Sequence, residues 1–392
     1  MLSKKLSNIT PSYTIGISTK VNELKSQGID IINLSIGEPD FFTPDAAKEC
    51  AVNAIHANKS KYDDAAGLKA LRSAIKEKLK KENNIDYDIE EIVVSSGAKH
   101  AITNTLIALL DDGDEVIIPK PYWVSYSEMV KLTGGSPVFI KTKKENDFKL
   151  TASELEESIS SKSKLLFITN PSNPTGAVYS KEELSDIVDV CLKNNIYIIS
   201  DEIYEKICYA DEYTSIASLS KEAKEITVTI NGLSKSAAMT GWRIGYSACT
   251  RKIAKAIGAI QGHLVSHPST IAQWSAYGAL TLCRDEMAKM VSIYKSRRDR
   301  ATMLLSKINK LSFINPQGAF YLFIDISKFK DSFNFSDSFS IAFCDKLLEE
   351  YKVAVVPGIA FGMDDFIRIS YACDISDVEE GIKRLKDFVE SI

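Results

Sequence analysis

The chain has 392 residues, 45% of them hydrophobic and 26% charged, with 19 glycines and 11 prolines. That is globular composition and excludes a disordered, collagen-like or low-complexity protein. Forty-eight basic against 52 acidic side chains leave a formal charge of −4, which offers neither a nucleic-acid footprint nor a polybasic membrane anchor.

At about 150 residues per domain the length suggests two or three units. The seven cysteines are scattered, odd in number and form no C-x-x-C pair. A disulfide framework or a zinc site is therefore not favoured. The first residues lack the apolar core of a signal peptide, and no run approaches the roughly 20 apolar residues of a membrane span. A soluble, reduced, cytoplasmic protein is expected.

In chain order, residues 21–27 read as an early helix, followed by the apolar run Ile31-Ile32-Asn33-Leu34 and by Gly37-Glu38-Pro39-Asp40. Thr43-Pro44 suits the N-cap and first position of a helix through residue 57. Residues 92–95 read as a strand leading through Gly97 into a helix that Asp111-Asp112-Gly113 stops. Further strands are expected at 116–118, 165–168, 196–199, 227–230 and 244–246. These runs are continuously apolar rather than alternating, as strands buried on both faces require. Between two of them, residues 181–193 place Leu184, Ile187, Val188 and Cys191 on one helical face. The pattern predicts an α/β layered domain with a largely parallel sheet over residues 46–287. From about residue 288 a long helix runs to 308, and strands follow near 320–324, 353–356 and 366–370. Residues 1–45 and 288–392 are expected to fold together as a smaller α+β domain.

Four segments carry candidate chemistry. In Asn231-Gly232-Leu233-Ser234-Lys235-Ser236, a lysine follows a buried strand among small residues, and Arg243 follows eight positions later. A desolvated lysine gives up its proton readily and can form an imine with an aldehyde, while an arginine fork suits a phosphate. By itself that spacing describes many surface lysines. Asp201, in Ser200-Asp201-Glu202-Ile203-Tyr204, stands at the carboxyl end of a strand, the edge where open α/β sheets bind ligands. Asn170-Pro171-Ser172-Asn173-Pro174 makes a tight loop after another strand, with cis peptides available to it. Ser95-Ser96-Gly97-Ala98-Lys99 joins a strand to a helix start, whose free N–H groups favour an anion.

In this order and strand context, the segments resemble the pyridoxal-phosphate aminotransferases of fold type I, class I, most of all the bacterial aspartate aminotransferases. The resemblance runs from Pro11-Ser12-Tyr13-Thr14 to Arg368-Ile369-Ser370-Tyr371-Ala372. It implies a large domain with a mostly parallel seven-stranded sheet between helices, plus a small α+β domain, and pyridoxal 5'-phosphate as cofactor. Lys235 would hold the cofactor covalently and shuttle the Cα proton. Asp201 would pair with the ring nitrogen, Tyr204 and Asn173 with the phenolic oxygen, and Trp123 would stack on the ring. The backbone of Ala98 and Lys99, with Ser234 and Arg243, would bind the phosphate. Tyr62 would reach the phosphate of a neighbouring subunit, which implies a homodimer with shared active sites. Arg368 would clamp the substrate α-carboxylate beside Gly37 and draw the small domain inward.

For the side chain, Lys99 assisted by Thr14 is placed to meet a distal carboxylate, which favours aspartate or glutamate with 2-oxoglutarate in a ping-pong reaction. There are departures from the pattern. Gly97-Ala98 replaces Gly-Gly, and His267 replaces a small hydroxyl residue in a loop that helps line the side-chain pocket. Thr10-Pro11-Ser12 replaces Lys-Pro-Ser, which weakens a case for prephenate. An aromatic or kynurenine aminotransferase and a pyridoxal-phosphate β C–S lyase remain as alternatives. A cofactor-sensing regulator would need a DNA-binding domain ahead of this fold, for which the residues before Leu34 leave no room.

Overall fold

The apolar runs in the middle of the chain form a single seven-stranded sheet. The structure, a computed structural model, describes residues 9, 10 and 13–392, the side chains of Thr14 and Ile15 excepted. In chain order it begins with α1 (Tyr13–Ser26), β1 (Ile32–Asn33), α2 (Asp45–His56), α3 (Lys69–Glu82), β2 (Ile92–Ser95) and α4 (Ala98–Leu109). There follow β3 (Glu115–Lys120), α5 (Ser125–Leu132), β4 (Ser136–Lys141), α6 (Ala152–Ser158), β5 (Ser163–Thr169), α7 (Lys181–Lys193) and β6 (Tyr197–Asp201). Next come α8 (Lys221–Ile226), β7 (Thr227–Gly232), β8 (Gly245–Ala248), α9 (Arg251–Leu264) and α10 (Thr270–Leu282). The last part comprises α11 (Arg284–Leu305), β9 (Ser312–Phe313), β10 (Tyr321–Asp325), α12 (Phe339–Tyr351), β11 (Val353–Ala354), β12 (Val356–Pro357), β13 (Phe366–Ser370) and α13 (Ile375–Glu390).

The large sheet has the order β2-β8-β7-β6-β5-β3-β4. Every neighbouring pair is parallel except those made by β8, which runs antiparallel to β2 and to β7, with Gly245 opposite Gly232. Successive residues of each strand enter different cores, which is why the runs are apolar throughout. Val116 and Ile118 join one core with α4 and α9, while Ile117 joins the other with α7. Leu165 and Phe167 against Leu166 and Ile168 repeat that division. On α7 the buried residues are Leu184, Ile187, Val188 and Cys191, as its periodicity requires.

Two expectations change. The strand β4 has no counterpart in the sequence reading, because it is an edge strand, mostly unburied and carrying Pro137, and so lacks a continuous apolar run. Thr43 is not the cap of α2: Pro44 occupies that position without a side-chain bond. Two stronger partners claim the Thr43 hydroxyl, which donates to Ala238 O and accepts from Trp242 Nε1, each at 2.9 Å.

The two ends of the chain meet. β1 pairs in parallel with β11, Ile32 opposite Val353, and β12-β13-β10-β9 form an antiparallel sheet beside them. Leu34, Ile369 and Ile382 share the core that results.

Candidate active site

Asp201 ends β6, Thr169 ends β5, Ser234 and Lys235 follow β7, and Ala98 opens α4. All lie at the carboxyl edge of the large sheet, and with Gly37, which follows β1, and Arg368 on β13 they line one cleft of about 650 Å³. Lys99, Trp123, Asn173, Tyr204 and Arg243 line the same cleft.

At its base Asp201 is buried. Its Oδ2 accepts from the Tyr126 hydroxyl at 2.5 Å and its Oδ1 from the Ile203 N–H at 3.2 Å. Burial pushes its carboxyl up to about 6, against the opposing pull of these bonds and of Lys235. Lys235 is half-buried and its Nζ donates to Gly37 O. Desolvation lowers its ammonium to about 8, with Glu38 working in the opposite direction. A lysine so placed is partly neutral near physiological pH and can act as nucleophile or base.

One wall gathers cationic and N–H donor groups. Gly97 takes φ 87° and precedes α4, whose first N–H groups no side chain caps. A Cβ on Gly97 would lie 2.5 Å from Arg243 Nη2, so only glycine admits the guanidinium over this turn. Arg243 donates to Thr240 O at 2.8 Å, and Ser234 is buried beside Lys235. Helix start, guanidinium and hydroxyl together gather donors whose chemistry suits an anion. Lys99 Nζ lies 5.0 Å from the Trp123 ring centroid, and its ammonium is lowered first by desolvation, then by Arg243.

On the opposite wall Arg368 is 2% exposed. Its Nη1 donates to Asn173 Oδ1 and its Nη2 to Ser35 O, both at 3.0 Å, while Nε has no partner among the described residues. Tyr321 lies beneath it at 4.2 Å and hydrogen-bonds Tyr204 hydroxyl to hydroxyl at 2.7 Å. A Cβ on Gly37 would stand 3.1 Å from Tyr321 Oη and 3.9 Å from Arg368 Nη2.

Tyr62 and His267 do not line this chain's own cleft. Tyr62 is 90% exposed with its ring edge-on to His267 at 5.8 Å. His267 does not line the cleft; its Nε2 instead accepts from the Asp63 N–H at 3.1 Å. The side chain of Thr14 lies outside the described residues, as do Pro11 and Ser12. The sequence reading passed over Tyr126 and Tyr321. Tyr126 stands three residues after Trp123, a spacing that could have flagged it, whereas Tyr321 in an apolar strand looks like any core tyrosine. The Asn-Pro bonds at 170–171 and 173–174 are both cis. Among the described residues no group of His, Cys, Asp or Glu could hold a metal ion, and no helix is long and apolar enough to cross a membrane.

Comparison with known proteins agrees with this geometry. The family model of the class I and II aminotransferases matches residues 29–385. The chain is 44% identical to the aspartate aminotransferase of Bacillus sp. (strain YM-2), covering 100% of this chain and 99% of that one. It is likewise 44% identical, over 100% and 99%, to an Aquifex aeolicus (strain VF5) protein named "Probable aspartate/prephenate aminotransferase". Among solved structures, the Thermus thermophilus aspartate aminotransferase with maleate superposes with a TM-score of 0.93 at 37% identity, covering 99% of each chain. Fold, cleft and kinship agree, and the chain belongs to the class I and II aminotransferases.

Proposed function

We propose that the protein is a pyridoxal-phosphate-dependent aspartate aminotransferase, passing the amino group of L-aspartate or L-glutamate to 2-oxoglutarate in two alternating half-reactions. The observation that carries this reading is the buried Arg368, whose fork is held by neutral acceptors and which no carboxylate of the described residues neutralises. A buried cation in that state is poised for an anion from outside, and the α-carboxylate of an amino acid supplies one.

The cleft fits the cofactor. Pyridoxal phosphate supplies an aldehyde for the amino group and a protonated ring nitrogen that withdraws electron density from Cα. The α4 start, Ser234 and Arg243 would hold its phosphate. Asp201 would face the ring nitrogen, with Trp123 over the ring, and Asn173 and Tyr204 at its edge. Lys235 would bind the aldehyde and then carry a proton at Nζ. Lys99 is the second cation within reach of a substrate, and a distal carboxylate would pair with it. The maleate named with the Thermus enzyme is a dicarboxylate, which supports this choice.

A second copy would complete the site. An open hollow of about 840 Å³ adjoins the cleft at Arg243 and is rimmed by Phe42, which is 88% exposed. Val52 and Ile55 on α2 and Leu282 on α10 are also exposed apolar residues on two helices that pack together. Such a surface asks for cover, and in a homodimer Tyr62 of each copy would enter the other's cleft. Residues 46–287 would form the large domain, and 1–45 with 288–392 the small one that closes on substrate. The seven free cysteines support a cytoplasmic, reducing setting.

The test is a half-reaction: holoenzyme mixed with single L-amino acids, the cofactor spectrum being followed. Fast conversion to the pyridoxamine form by aspartate and glutamate, and slow conversion by phenylalanine, is expected. Preference for phenylalanine or kynurenine overturns the dicarboxylate reading, and release of pyruvate and ammonia from cystathionine would indicate a lyase.

A further inference from the structure

Residues 59–68 connect α2 to α3 without regular structure, yet side chains from 261–273 grip their backbone at four points. Thr270 Oγ1 donates to Lys59 O at 2.7 Å, and Gln261 Nε2 donates to Ala65 O at 2.6 Å. Gln273 Oε1 accepts from the Leu68 N–H at 2.7 Å, while its amide donates to Pro268 O at 2.9 Å. Arg72 closes the base of the loop, donating to Gly67 O and pairing with Asp64. At the outer end His267 supplies the fourth grip, its Nε2 accepting from the Asp63 N–H at 3.1 Å. Its Nδ1 lies 2.7 Å from Pro268 O. A carbonyl can only accept, so Nδ1 carries the hydrogen and Nε2 keeps its lone pair for Asp63.

What the loop presents is Tyr62, whose ring touches little of this chain beyond the edge of His267. Ordering a loop of this length is entropically expensive. The bonds just described offset that cost at the loop's inner end, while Tyr62 gains no burial within this chain and leaves its phenol available to a second copy. We propose that His267 is a positioning residue for Tyr62: it fixes the outer end of the loop, so that the phenol enters the cofactor-phosphate end of a second copy's cleft already oriented. This rests on the dimeric reading given above and assigns His267 a role in holding the cofactor.

The experiment compares the affinity of the cofactor-free dimer for pyridoxal phosphate, read by tryptophan fluorescence, across five variants. Dimer content is measured by sedimentation and folding by melting temperature. Tyr62→Phe should weaken cofactor binding about tenfold, and His267→Ala about three- to tenfold, through loss of one hydrogen bond and the loop order behind it. Tyr62→Phe/His267→Ala should be no worse than Tyr62→Phe alone, because the histidine acts through the tyrosine. His267→Gln, which restores an acceptor near Asp63, should recover most of the affinity, and His267→Phe, which restores only a ring, should not. The aspartate-to-phenylalanine preference should be unchanged in His267→Gln and His267→Ala. Wild-type affinity in Tyr62→Phe would overturn the reading that places Tyr62 at the cofactor. Weakening by Tyr62→Phe but not by His267→Ala, or additive losses in the double variant, would overturn the role of His267 alone. So would dissociation of the His267→Ala dimer at concentrations where the wild type stays paired.

Discussion

The hydroxyl of Tyr126 donates to Oδ2 of Asp201 at 2.5 Å, with the tyrosine ring stacked on Phe167 at 4.4 Å. This bond opposes the burial that raises the Asp201 carboxyl to about 6. Removing it should raise the carboxyl further. Above that value Asp201 is ionised and can hold a protonated ring nitrogen, and below it the charge is lost. Cofactor affinity should therefore fall as pH drops through about 6 in the wild type. In Tyr126→Phe the midpoint should move upward and affinity at pH 7 should fall about tenfold, the worth of a hydrogen bond to a charged group. Titrating apo-protein with cofactor across pH 5–8 decides it, and an unmoved midpoint would sever Tyr126 from Asp201.

Lys235 sets a second pH dependence. Its ammonium is lowered to about 8 by desolvation, and only the neutral amine adds to an aldehyde. The rate of covalent cofactor capture by apo-protein should rise with pH, pass half-maximum near 8 and then level. A rise continuing toward 10.5 would describe a solvated lysine. Lys235→Ala should abolish turnover and leave the cofactor bound without a covalent link: after borohydride reduction, mass spectrometry should find the cofactor adduct on the wild type and not on the variant.

Lys99 separates the substrate readings. Replacement by Gln should lower kcat/KM for aspartate and glutamate about 10- to 100-fold, as loss of a charge-assisted pair does. Alanine and phenylalanine should lose less than about threefold. Equal losses for all four would confine Lys99 to the phosphate.

Gly37→Ala tests the carboxylate clamp. Its Cβ would press on Tyr321 Oη at 3.1 Å and stand 3.9 Å from Arg368 Nη2. KM should rise about tenfold for every amino acid, with the cofactor spectrum unchanged. An unchanged KM would show that the substrate carboxylate does not pass there.

What the sequence made legible followed from burial. The inner strands, covered on both faces, announce themselves as apolar runs, and the residues at their carboxyl ends, Asp201, Asn173 and Lys235, could be placed with them. The edge strand β4 did not, because half-exposed positions tolerate Ser136, Pro137 and Lys141 alike. Arg368 and Gly37 were legible only through the resemblance, since their meeting depends on β1 pairing with β11 across some 320 residues of chain. Tyr126 had only its spacing from Trp123 to mark it, and Tyr321 and the grip of His267 on Asp63 had nothing. Each is a side-chain bond between distant segments, and a tyrosine or histidine in isolation reads the same whether it packs or points.

The antiparallel course of β8 has a further consequence. The chain leaves the sheet at Gly232 and returns at Gly245 directly opposite, so Lys235 and Arg243 stand on one closed hairpin. A Cβ on Gly232 would already meet Ile244 O at 2.8 Å, which leaves the closure no slack. The span from nucleophile to phosphate cation is thus set by loop length, like a gauge block between two jaws. Ala237 and Met239 are buried along it, so the loop cannot stretch, and adding or removing a single residue would change the size of ligand that can touch both ends at once.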